Sequence, residues 1–94
     1  MTPPADTSKP CLADKARLKW DAVREKHLLL FPEGVLVLNK TAHDVLALCD
    51  GRRDVAEIIK TLAARYATEA NAITGDVKEI LQRLLEKSFV ILNE

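Results

Sequence analysis

Leu28-Leu-Leu-Phe-Pro-Glu-Gly-Val-Leu-Val-Leu-Asn39 decides how this chain folds. It reads as a strand, a tight turn and a second strand. Pro32 presets the backbone for the second position of a turn, and Gly34 suits the positive φ that ends one. A half-buried strand alternates apolar and polar residues. Val35, Leu36, Val37 and Leu38 do not alternate, so both faces of this strand are apolar. Either the strand is central and covered twice, or it offers an apolar face and a backbone edge to something else.

Upstream, Arg17-Leu-Lys-Trp-Asp21 does alternate and predicts a first short strand, with Leu18 and Trp20 facing inward and Trp20 as a core anchor. With His27–Phe31 and Val35–Asn39 it makes an antiparallel three-stranded meander whose first and third strands are edges. Residues 1–14 carry three of the four prolines and predict a flexible Pro-rich arm; residues 15–94 form a single domain.

Downstream the period changes. Ala42, Val45, Leu46 and Cys49 are spaced as a helix stripe. Thr41 or Asn39 can cap it, Asp44 is expected in its first turn, and Gly51 suits its left-handed end. Asp54-Val-Ala-Glu57 resembles a capping box that opens a second helix with Val55, Ile58, Ile59, Leu62, Ala63 and Tyr66 on one stripe. A third helix, starting between Asn71 and Thr74, carries Ile73, Val77, Ile80, Leu81, Leu84 and Leu85. Phe89-Val-Ile-Leu92 is a short apolar tail, either packed on the core or forming a brief strand. Three strands followed by three helices with a short turn at Asp50–Arg53 predict an α+β domain of winged helix-turn-helix type.

Composition narrows the function. Fourteen basic and fourteen acidic residues cancel, and no block of one sign is longer than Arg52-Arg53. That lacks the basic footprint of a nucleic-acid or anionic-membrane binder. The third helix mixes Asp76, Glu79 and Glu86 with Lys78, Arg83 and Lys87, which argues against DNA reading. No run of apolar residues reaches the length of a membrane span. The first residues have no apolar signal core, so the expected location is the cytoplasm. Cys11 and Cys49 form no C-x-x-C pair and are expected as free thiols.

Catalytic and metal motifs are absent. There is no phosphate loop and no nucleophile elbow. His43 and Cys49 are six residues apart on one helix, a rotation of roughly 600°, which puts them on different faces. No catalytic residue, no metal ligand and no cofactor is expected, and the chain reads as a non-enzyme. What remains is the third strand. An open strand edge beside an apolar face is a place for another chain to add. The alternatives are a DNA-binding winged helix and a dimerisation module.

Arg17-Leu-Lys-Trp-Asp21, Leu29-Leu-Phe-Pro-Glu-Gly34, Leu38-Asn39, Leu48-Cys-Asp-Gly-Arg52, Ile58, Leu62, Asp76-Val77, Leu81 and Leu84 together closely resemble the PqqD family of pyrroloquinoline quinone (PQQ) biosynthesis. The resemblance spans about residues 14–92. Two positions depart from it: His27 stands where the family often has an aromatic, usually tryptophan, and Ser88 where a glycine commonly ends the third helix. The resemblance implies a precursor-peptide recognition element with a winged-helix fold, a peptide chaperone that does no chemistry itself. It implies two partners, the ribosomally made precursor peptide PqqA and the radical SAM enzyme PqqE. Neither nucleic acid nor membrane is an expected partner, and the chain is expected as a monomer or weak dimer. By the same resemblance the peptide adds as a strand along Val35, Leu36, Val37, Leu38 and Asn39. The groove wall is drawn from Val77, Ile80, Leu81, Leu84 and Leu85, and Asp50-Gly51-Arg52 shapes its turn.

Overall fold

The structure, a computed structural model, describes residues 5–93. Eight elements follow one another: β1 (Lys9–Leu12), β2 (Arg17–Asp21), β3 (Lys26–Phe31), β4 (Gly34–Leu38), α1 (Lys40–Ala47), α2 (Val55–Arg65), α3 (Ala70–Glu86) and β5 (Val90–Asn93). The expected meander is β2-β3-β4, antiparallel, with β2 and β4 at its edges. The fold is α+β, a three-stranded sheet followed by helices.

Two hydrophobic clusters hold it together. One joins the helices through Val45, Ile58, Leu62, Val77 and Leu81. The other fills the space between sheet and helices with Leu29, Leu38, Leu46, Leu84 and Val90. Leu29 is fully buried and Leu38 nearly so, which fixes the inner face of the sheet. Ile80 packs against both clusters, so α3 bridges them.

The ends of the chain differ from expectation. Residues 9–12 of the supposed arm are strand β1, paired antiparallel with β5 from Lys9↔Asn93 to Leu12↔Val90. Residues 1–4 of that arm lie outside the described residues. Backbone hydrogen bonding explains why the segment is held. The first N–H groups of a helix have no partner within it. Here the Val55 N–H donates to the Ser8 carbonyl (3.0 Å) and the Ala56 N–H to the Asp6 carbonyl (3.1 Å), while Asp54 Oδ1 accepts from the Glu57 N–H (2.8 Å). The N-terminal segment therefore completes the cap of α2. Lys78 adds a contact to Asp6 at 2.7 Å.

Four local expectations are corrected. Gly34 does not take a positive φ. It is the extended first residue of β4, opposite Phe31, and the two-residue turn Pro32-Glu33 closes without it. Gly51 does take one (77°), but not as the cap of α1, which ends at Leu48. Gly51 instead lies where β1 and β5 meet the turn. Its N–H donates to the Pro10 carbonyl, and an added Cβ would sit 3.2 Å from Asn93 Nδ2 and 3.4 Å from Cys11 Cβ. α3 begins at Ala70, before the expected start, with no side-chain cap from Glu69. Trp20 is 51% exposed. It shares the inner side of the sheet with Leu18, but at its end of β2 the one ring beside it among the described residues is that of His27, tilted by 54° with centroids 4.7 Å apart.

Candidate peptide-binding edge and groove

The candidate site lies along β4. Only two residues separate Phe31 from Gly34, so this pair must exchange the closing hydrogen bonds of the hairpin. Hydrogen-bonded and non-bonded pairs then alternate along the register Phe31↔Gly34, Leu30↔Val35, Leu29↔Leu36, Leu28↔Val37 and His27↔Leu38. Gly34, Leu36 and Leu38 bond back to β3. Val35 and Val37 aim their N–H and C=O groups at the free edge. An edge of this kind is a template for another strand.

The side chains divide the other way. Leu36 and Leu38 lie on the inner side, and Val35 and Val37 on the outer. Beside the inner side of the edge runs a groove of about 230 Å³ between β4 and α3. Leu36, Val37, Leu38 and Asn39 line it from the strand, Ala42 from α1, and Ile80, Arg83, Leu84 and Lys87 from α3 and its C-terminus. The middle is aliphatic, and the α3 rim carries Arg83, bound to Glu79 at 2.8 Å, and Lys87. Asn39 is committed locally: its Oδ1 accepts from the Ala42 N–H at 2.8 Å, making it the N-cap of α1.

The ten residues expected at the site separate into three groups. Leu36, Val37, Leu38, Asn39, Ile80 and Leu84 come together in the groove. Val77 and Leu81 are buried in the helical cluster. Val35 is exposed on the outer side of the sheet, and Leu85 packs on the second cluster without reaching the groove. Ala42, Arg83 and Lys87 were not expected there. Their approach depends on how α1 and α3 cross the sheet, which no spacing in the sequence records.

A second cluster lies at the start of β3. His27 and His43, sixteen residues apart in sequence, stack face to face with ring centroids 3.6 Å apart. His43 Nδ1 is 3.2 Å from Asp44 Oδ1, and the Tyr66 hydroxyl donates to Asp44 Oδ2. Lys40 Nζ sits 5.6 Å from the centre of the Tyr66 ring. Contrary to expectation, Asp44 lies past the first turn of α1, which holds no acidic residue, and is a buried partner rather than a helix-dipole group. Burial pushes its carboxyl up, but the Tyr66 hydroxyl, the His43 ring and the Lys40 charge outweigh that and hold it below its ordinary value. Burial first, then the Asp44 bond, pushes the Tyr66 hydroxyl up to about 12. Parallel stacked imidazoles do not converge on one point, and among the described residues no three His, Cys, Asp or Glu side chains gather as a metal site.

Neither cysteine is placed for nucleophilic chemistry. Burial, with smaller contributions from Cys11 and Asp50, pushes the Cys49 thiol up to about 12, and its Sγ donates to the Val45 carbonyl at 3.2 Å. Cys11 is half-buried beside the turn. That turn is organised by Asp50, whose Oδ1 accepts from the Arg52 and Arg53 N–H groups at 2.9 and 3.0 Å. Among the described residues no helix is long and apolar enough to cross a membrane.

The chain resembles known proteins over most of its length. A PqqA binding protein of Rhodopseudomonas palustris (strain TIE-1) is 45% identical over 86 residues, covering 92% of this chain and 84% of the relative. A PqqA binding protein of Kluyvera intermedia is 39% identical over 89 residues, covering 95% and 96%. The PqqD truncation of Methylobacterium extorquens PqqCD has been solved by NMR as a functional, stand-alone recognition element for ribosomally synthesised and post-translationally modified peptides. It is 36% identical, covers 87% of both chains and superposes with a TM-score of 0.75. The crystal structure of PqqD from Xanthomonas campestris is 35% identical, covers 90% of this chain and 94% of that one, and gives 0.57. The profile of the family described as coenzyme PQQ synthesis protein D matches residues 26–90, and the chain belongs to that family.

Proposed function

We propose that this chain is a cytoplasmic peptide chaperone of PQQ biosynthesis that binds the precursor peptide PqqA and presents it to the radical SAM enzyme PqqE. It performs no catalysis of its own. The observation that carries this reading is the unpaired edge of β4 beside an aliphatic groove. A peptide adding there gains main-chain hydrogen bonds from Val35 and Val37, and its inward side chains meet Leu36, Leu38, Ile80 and Leu84. Relatives named for PqqA binding supply the identity of the peptide.

Calorimetric titration with the PqqA leader tests it. Val37→Pro removes an N–H that the sheet itself does not use, so the domain stays folded. Leader affinity should fall roughly tenfold or more. Unchanged affinity in a folded variant rejects strand addition.

The DNA reading finds no support on α3, where Lys78 is held by Asp6 and Arg83 by Glu79. A second copy of the chain competes for the same edge, consistent with a monomer in weak exchange with a dimer. Size measured against concentration, with and without leader, separates the two occupants.

A further inference from the structure

The sheet has a second face, turned away from the helices, which the groove reaches only at Val37. Leu29 and Leu38 are buried on the inner side, so Leu28, Leu30, Val35 and Val37 point outward. The register arranges them in two rows across the strands: Arg17–Leu30–Val35 and Lys19–Leu28–Val37. Each row runs from a cation on β2, through two aliphatic side chains, to the free edge of β4. Lys26 stands in the next row beside Asp21. That carboxylate already accepts from the N–H groups of Val23 and Arg24. Val35 and Val37 are 54% and 52% exposed. Scattered surface aliphatics need no explanation, but four contiguous ones do.

We propose that this outer face is a second docking surface, taken by a folded protein whose contact area is apolar at its centre and acidic at its margin. Its occupant is the enzyme that modifies the bound peptide. The proposal rests on the reading of β4 as the peptide edge. Charge is the first argument for it. The whole chain is neutral, yet Arg17, Lys19 and Lys26 border this one patch, which makes it complementary to acidic groups. A second copy of the same face would bring the same cations against them. Continuity is the second argument. A strand added to β4 lengthens each row by one residue, so the outward side chains of a bound peptide lie in the same surface as Val35 and Val37. A protein seated there touches the peptide while its inward side chains stay in the groove.

The test uses the full chain, the PqqA leader and PqqE. Arg17→Glu combined with Lys19→Glu changes two exposed side chains on β2, two strands from the peptide edge. Leu30→Gln removes the apolar centre of one row. Leader binding is read by calorimetry and PqqE binding by surface immobilisation at low and high salt. With the charge-reversed variant, leader affinity should stay unchanged, PqqE affinity should fall roughly tenfold and its salt dependence should flatten. Leu30→Gln should weaken PqqE binding without altering the salt slope. Unchanged PqqE affinity in both folded variants overturns the proposal, as does failure of the native chain to bind PqqE while it binds the leader. A self-association that both variants abolish also overturns it, in favour of a dimer. Failure of the leader to bind, with PqqE still lost from the variants, overturns the peptide reading alone and leaves the docking surface standing.

Discussion

The Tyr66 hydroxyl donates to the Asp44 carboxylate and ties the end of α2 to the middle of α1 across 22 residues of sequence. Tyr66→Phe leaves that buried carboxylate short of a donor and should cost about 1–3 kcal/mol. The pH dependence follows from the two shifts. Asp44 is held below its ordinary 3.8, so its contribution is complete above that pH and is lost as the pH falls through the lower folded value. Tyr66 is raised from 10.0 to about 12, so its contribution is complete below pH 10.0 and disappears as the pH rises towards 12. Urea unfolding across pH should show both losses in the native chain. Tyr66→Phe should shrink the alkaline one, leaving the part due to the buried Cys49 thiol, which is raised from 9.0 to about 12.

Ser88 ends α3 in the left-handed region at φ 63°. The Phe89 N–H reaches the Leu84 carbonyl (3.0 Å) and the Ser88 N–H the Leu85 carbonyl (3.1 Å), the paired bonds of a Schellman ending. A side chain is strained there and a glycine is not. Ser88→Gly should therefore stabilise the domain by about 0.5–1 kcal/mol, a rise in melting temperature of roughly 2–8 °C. A thermal melt with no rise would contradict the assigned backbone.

Gly51→Ala carries the opposite expectation. Its φ of 77° disfavours a Cβ, and the new methyl would meet Asn93 Nδ2 at 3.2 Å and Cys11 Cβ at 3.4 Å. A loss of about 1–2 kcal/mol should appear. Hydrogen exchange should accelerate first in Lys9–Leu12 and Val90–Asn93. Uniform acceleration throughout the chain would mean that the two-stranded ribbon is not an independently opening unit.

Ile80 and Leu81 are neighbours in sequence with separate expected roles. Leu81 is fully exposed to no solvent at all (0%), and Leu81→Ala should cost about 2–5 kcal/mol of stability. Ile80 lines the groove and is only partly buried. Ile80→Ala should weaken leader binding roughly tenfold with a smaller loss of stability. Equal effects of the two changes on stability, with none on binding, would place the peptide elsewhere.

Periodicity made the meander and the three helices legible, because each rests on local spacing of apolar residues. The β1–β5 ribbon was not legible. Lys9-Pro-Cys-Leu12 contains a proline and alternates nothing; it is held by pairing with β5 and by the Asp6 and Ser8 carbonyls just before it, which cap a helix more than forty residues away. Trp20 followed the alternation of its strand correctly, but alternation assigns a side and not a cover. The groove divided in the same way. A helix stripe names the apolar residues of α3, yet only its crossing over the sheet separates Val77 and Leu81, inside, from Ile80 and Leu84, at the wall.

The turn at Pro32-Glu33 has one more consequence. Most edge strands are locked in register by their own side chains, since a slip of one residue exposes an apolar face and buries a polar one. In Val35-Leu36-Val37-Leu38 a slip exchanges aliphatic for aliphatic, so hydrophobicity is degenerate between the two alignments. The length of the turn alone breaks that degeneracy. One residue inserted between Phe31 and Gly34 would invert β4, turning Val35 and Val37 inward and handing the outward-facing amides to Leu36 and Leu38.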